Sequence, residues 1–252
     1  MKTNLLRIAL AAVALSAGSA SATTWTFSGS STSSSIGNSL STTAGVYTVT
    51  ATAWSDEGGS TLQKAYLNSY SGGLSVHNAV ESANAPQHAT DNNGERDYIL
   101  LNFGATAVNL TQVYNSYTLY GDDISVLAFA GSGSGAIIGK STSQLLADGW
   151  QSIANVSTSS NWSPTFNNSG TGDVYSSLWL VGAYNPAFGG SLSDGNDYVK
   201  LRKFSGGVCT APGGASGGTC GGTPNNGVPE PGSLALAGLG LLGVIGLRRR
   251  RK

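Results

Sequence analysis

Thr48, Thr50 and Thr52 alternate with Val49, Ala51 and Ala53, and Tyr47 leads the apolar set. A period of two puts one set on each face of an extended chain, as in a half-buried strand over residues 46–54. Segments 61–67, 98–103, 113–120, 151–156 and 198–204 are short, apolar-rich and bounded by Gly, Asn or Asp, and they read as further strands. Residues 124–130 and 177–184 also read as strands, and the apolar runs within them are nearly continuous, as expected of central strands covered on both faces. One short helix is predicted at 143–148, closed by Gly149. The Ser/Thr/Gly stretch 28–45 reads as a surface loop. About 200 residues is enough for one core. The pattern therefore predicts an all-β chain: a single β-sandwich, jelly-roll-like, over residues 23–204. No repeat of fixed period supports a solenoid or propeller.

The ends of the chain are of another kind. Lys2 and Arg7 precede an apolar stretch at 8–15, then small residues run to Ala22. Ala20-Ser21-Ala22 supplies the small-x-small pattern of signal-peptide cleavage, so residues 1–22 read as a signal removed after Ala22. Of the 13 Lys and Arg, two lie in that signal and five at the C-terminus, while 12 of the 13 Asp and Glu lie between, which gives the body a net charge of −6. An acidic body without basic clusters lacks the electrostatic footprint of a nucleic-acid binder.

From residue 205 to 227 Gly, Ser, Thr, Pro and Asn dominate, the composition of a linker. Cys209 and Cys220, the only cysteines, lie in it. Outside the cytoplasm such a pair reads as a disulfide; two independent thiols is the other reading.

Residues 228–252 hold three parts in order. Pro229 and Pro231 flank Glu230; an apolar segment follows, with Ser233 as a helix N-cap and a membrane-spanning helix predicted over 233–247; Arg248, Arg249, Arg250, Arg251 and Lys252 end the chain. The prolines keep the tripeptide extended, and the basic cluster halts export and holds the cytoplasmic side. A helix over 234–247 covers roughly 21 Å of a hydrocarbon core of about 30 Å. Gly238, Gly240, Gly243 and Gly246 weaken it further. It is a poor permanent anchor, as a temporary one would be. An ordinary C-terminal anchor with an incidental tripeptide is the competing reading.

This order of parts resembles the PEP-CTERM sorting signal of Gram-negative bacteria. The resemblance implies that exosortase, a membrane-embedded, cysteine transpeptidase-like enzyme, recognises the tail, with Pro229, Glu230 and Pro231 marking the processing region. It implies passage through the inner membrane, then delivery to the cell surface or outside. The polar cluster 86–97 before the strand at 98–103, Asp122-Asp123 before 124–127, and residues 178–184 followed by 197–201 resemble the exosortase-dependent surface protein families. Those families imply a non-enzymatic role associated with exopolysaccharide or biofilm.

In the body, Asp91, Asn93, Glu95 and Asp97 alternate as oxygen ligands in a calcium loop can, which would make a structural calcium ion the one cofactor. It is not an EF-hand, because Arg96 stands where that loop needs glycine. An Asx-rich turn leading into a strand is the other reading. Asp122-Asp123 reads as a turn before a strand. His77 and His88 are the only histidines; a Ser-His-Asp triad is recognised by geometry and keeps a secreted hydrolase as the remaining reading, but no G-x-S-x-G elbow occurs to support it. Gly139-Lys140-Ser141 superficially suggests a P-loop, but Ser134 stands where the first glycine belongs. Trp25, Trp54, Trp150, Trp162 and Trp179 could supply stacking rings to a carbohydrate-binding module, although tryptophan is more often core.

Overall fold

A computed structural model describes residues 22–56, 60–81, 89–159, 161–169, 172–210, 215–216 and 218–220. The strands in chain order are β1 (Thr23–Thr26), β2 (Ser39–Ala44), β3 (Tyr47–Ser55), β4 (Gln63–Lys64), β5 (Tyr66–Tyr70), β6 (Gly73–His77), β7 (Thr90–Asp91) and β8 (Asp97–Asn102). Then come β9 (Val108–Tyr120), β10 (Asp123–Phe129), helix α1 (Thr142–Ala147), β11 (Trp150–Ser157), β12 (Leu178–Ala183) and β13 (Asp197–Val208). A small hairpin of β14 (Ala215–Ser216) and β15 (Thr219–Cys220) follows. Among the described residues, no helix is long and apolar enough to cross a membrane, and the predicted span 233–247 lies outside them.

The strands form two antiparallel sheets. One contains β5, β6, β13 and β1, with β7 and β9 also paired to β13. The other runs β11-β10-β12-β8-β3-β2, with β4 beside β3. Between them lie Trp25, Leu67, Leu74, Val113, Leu201 and Phe204 from the first sheet and Val49, Ala51, Ile99, Val126, Trp179 and Val181 from the second. Each large apolar side chain in that layer contributes about 1.5–3 kcal/mol by leaving water.

The continuous apolar runs have a direct cause. Val126 and Val181 face the first sheet, whereas Leu127 and Leu180 face a second cluster with Trp54, Leu145, Trp150 and Phe188. Helix α1 supplies Leu145 to that cluster, so β10 and β12 are covered on both faces. The helix begins as its residues dictate: Ser141 accepts from the Gln144 N–H while the Gln144 side chain accepts from the Ser141 N–H.

Three expectations are corrected. The stretch 28–45 is not all loop, because β2 pairs along β3 as an edge strand; Leu40, Thr42 and Ala44 are half-buried and Ser39, Ser41 and Thr43 exposed. Its polarity hid it, and polar side chains are what an edge strand tolerates. Residues 61–67 are not one strand. Lys64 pairs with Trp54 in one sheet and Tyr66 with His77 in the other, so the chain changes sheets at buried Ala65. The linker does not begin at 205, because β13 continues to Val208 opposite β9. Gly206 serves close approach there: a Cβ would strike the Asn109 carbonyl.

Candidate functional site

The chain crosses between sheets again at residues 92–96. Asp91 ends β7, where it pairs with Tyr198 of β13; Asp97 begins β8, where it pairs with Ser55 of β3. Both side chains are 1 % exposed. A third carboxylate reaches them from the chain after β6. Buried Asn78 donates to Ser55 Oγ (3.4 Å), and its Oδ1 accepts from the Val80 and Glu81 N–H groups (both 3.0 Å). Glu81 Oε2 accepts from the Asn78 N–H (3.1 Å). This turn sets Glu81, half-buried, so that one carboxylate oxygen each from Glu81, Asp91 and Asp97 lie within 4.8 Å of one another.

One oxygen of each buried aspartate is engaged. Asp91 Oδ1 accepts from the Asn93 N–H (2.9 Å), and Asp97 Oδ2 from the Asp91 N–H (3.5 Å). Asp91 Oδ2 and Asp97 Oδ1 are buried without a hydrogen-bond partner among the described residues. Burial raises the Asp91 carboxyl to about 7, with the charges of Glu81 and Glu95 adding to it and the Asn93 N–H opposing. Burial, then the charges of Asp91 and Glu81, push Asp97 well above the usual carboxylate range.

Of the four residues expected to alternate as ligands, Asp91 and Asp97 come together and are joined by Glu81. Glu95 is outside the group that one ion could reach, although its charge acts on Asp91. Asn93 is exposed and offers its backbone to Asp91. The alternation failed as a guide because 92–96 is a crossing turn, where side chains do not follow the two-residue period.

A fourth acid, Asp197, begins β13 beside this group and is differently placed. Its Oδ2 accepts from Asn92 Nδ2 (2.8 Å), its Oδ1 from the Asp123 N–H (3.0 Å), and its own N–H donates to Asn92 Oδ1 (2.8 Å). Asn92 Nδ2 also donates to the Tyr184 carbonyl (2.9 Å). Gly121 leaves the space Asp197 occupies, since a Cβ there would strike Asp197 Oδ1. Burial raises Asp197 to about 6 against the hydrogen bonds from Asp123 and Asn92, and the charges of Asp123 and Asp122 add to the rise. Asp122 accepts at Oδ1 from Ser157 Oγ (2.6 Å) and at its carbonyl from Thr158 Oγ1 (3.0 Å), directly before β10.

Cys209 and Cys220 are joined by a disulfide. The Cys209 N–H donates to the Ala107 carbonyl (2.9 Å), and the Tyr175 N–H to the Gly218 carbonyl (2.6 Å), so both arms of the bridge touch the body. His77 stacks on Tyr66 (4.5 Å between ring centres), with its Nδ1 at 2.8 Å from Asn68 Nδ2. Four tryptophans are buried; Trp162 is half-buried, edge-on to Tyr114. Ala22 is exposed, one residue before β1. Ala20, His88, Pro229, Glu230, Pro231 and the basic run Arg248, Arg249, Arg250, Arg251 and Lys252 lie outside the described residues.

Residues 227–251 match the family model of the PEP-CTERM protein-sorting motif. The chain thus carries the sorting signal of an exosortase-targeted, exported protein. No curated protein and no solved structure matches the chain.

Proposed function

We propose that the chain is a non-enzymatic surface or extracellular-matrix protein whose tail is removed by exosortase at Pro229, Glu230 and Pro231, and whose body associates with exopolysaccharide. In this reading residues 1–22 are a cleaved signal, 23–204 and the rest of β13 form one β-sandwich domain, and 233–247 cross the inner membrane only until processing. The single observation that carries the reading is the sorting motif at 227–251. The tripeptide itself is tested by replacing Pro229, Glu230 and Pro231 with alanine, which leaves the apolar segment and basic end in place. The variant is expected to accumulate uncut in the inner membrane, as read by fractionation and intact mass. The parent's processed mass at the cell surface would instead make the tripeptide incidental.

A second reading, a carbohydrate-binding module, is favoured by one surface. Lys203 lies over the Tyr114 and Trp162 rings (5.0 and 6.0 Å), and Lys200 over Tyr117 and Tyr70 (4.3 and 5.0 Å). Three of the body's six basic residues, Lys200, Arg202 and Lys203, thus sit on one strand among half-buried rings. Retention on gels containing the producer's polysaccharide, lost in Trp162→Ala, separates this reading from delivery alone.

A further inference from the structure

We propose that Glu81, Asp91 and Asp97 form a calcium site that joins the two sheets where the chain crosses from β7 to β8. The first ground is geometric. Two oxygens bound to one calcium ion at about 2.4 Å can lie no more than about 4.8 Å apart, and the three carboxylate oxygens fall within 4.8 Å of one another. The second is the pair of orphaned oxygens. Asp91 Oδ2 and Asp97 Oδ1 are buried and lack a hydrogen-bond partner among the described residues, although each carboxylate's other oxygen is engaged. Buried polar atoms in folded proteins are almost always paired, so two in one acidic group point to a ligand that supplies positive charge.

The donor set selects the ion. All three side chains offer hard oxygen, with no imidazole or thiolate joining the group among the described residues, which favours calcium or magnesium over zinc and copper. Magnesium sheds water reluctantly and demands a near-ideal octahedron, whereas calcium accepts irregular carboxylate sets and completes its shell with carbonyls or water. Glu81 is half-buried and is the least buried of the three. Asp91 belongs to the sheet of β13 and Asp97 to that of β3, so one ion would hold both sheets at the crossing.

The test uses the full chain in detergent, stripped with EDTA and transferred to chelator-free buffer. Calorimetric titration with calcium chloride is expected to show one site, and saturating calcium to raise Tm by several degrees over EDTA. In the Asp91→Asn, Asp97→Asn double variant both responses should vanish while the circular dichroism of the sheets persists. Should that variant fail to fold, Glu81→Gln replaces it; with one charge fewer in the group, it should bind calcium about tenfold more weakly or worse. Equal parent Tm in calcium and in EDTA would overturn the site, as would a calcium response that survives these substitutions. Equal stabilisation by magnesium at the same concentration would overturn the choice of ion. None of these readouts depends on processing of the tail.

Discussion

Asp197 and the Glu81–Asp91–Asp97 group occupy neighbouring positions on paired strands, and both tie one sheet to the other, yet they are built oppositely. Both oxygens of Asp197 receive hydrogen bonds, from Asn92 and from Asp123, and Gly121 makes the room. Asp91 and Asp97 are as deeply buried, but each keeps one oxygen without a hydrogen-bond partner among the described residues and each has other carboxylates for neighbours. Asp197 is a finished polar clasp. In the acidic group, Asp91 Oδ2 and Asp97 Oδ1 have no hydrogen-bond partner among the described residues.

The sharpest break between them is the same substitution made twice. Asp197→Asn turns an acceptor into a donor facing Asn92 Nδ2 or the Asp123 N–H, and flipping Asn92 would give up its bonds to Tyr184 and Asp197. Urea unfolding in EDTA at pH 7 should register a loss of about 2–4 kcal/mol. Asp97→Asn puts a neutral side chain with a donor where burial and the neighbouring carboxylates disfavour an ionised carboxyl, so the metal-free protein should gain on the order of 1 kcal/mol. If both variants lose similar amounts, the two regions are of one kind and the contrast fails.

A pH series sharpens the contrast further. Asp91, Asp97 and Asp197 all have carboxyls raised in the fold, so each favours the folded state while protonated. In EDTA that contribution is complete below the unfolded value near 4 and is lost as pH rises through the folded ones. Asp197 should finish losing it near pH 6 and Asp91 near pH 7. The slope for each group is at most about 1.4 kcal/mol per pH unit. Saturating calcium should cancel the part due to Asp91 and Asp97, whose ionised forms it binds, and leave the Asp197 part. Denaturant midpoints at successive pH values with and without calcium decide this; coincident curves would erase the distinction.

The smallest effect serves as the control. Cys209 lies beyond the end of β13 opposite to Asp197. Replacing Cys209 and Cys220 by serine should cost less than about 1 kcal/mol, below the usual value for a native bridge. Among the described residues, the far arm meets the body through one backbone bond, from Tyr175 to Gly218. The calcium-induced rise in Tm should be unchanged; a rise lost with the bridge would mean that calcium acts through the whole fold and not at the crossing.

Much of this architecture is legible in the sequence where one physical demand dominates. The runs in β10 and β12 are apolar throughout because both faces are covered, and α1 announces its start through Ser141 and Gln144. The edge strand β2 was invisible because Ser39, Ser41 and Thr43 face water and carry no apolar signal. The acidic group was half legible. Asp91 and Asp97 stood out as local oxygen donors, but Glu81 comes from another strand's end through the turn fixed by Asn78. No spacing rule carries that information; Asn78-Ala-Val-Glu81, an Asx turn ending in an acid, was the available hint.

One feature of β13 has a mechanical side. The strand pairs with β9 from Asp197 opposite Tyr120 to Val208 opposite Val108, and with β1 at Thr23 to Thr26. Its last residue adjoins Cys209, and the bridge to Cys220 carries tension past the intervening residues straight into that strand. A pull on the tail along the axis of β13 therefore loads its ladder in shear, with many hydrogen bonds sharing the force, instead of peeling them apart singly. A body built this way can be tugged from its C-terminal side without unravelling from that end.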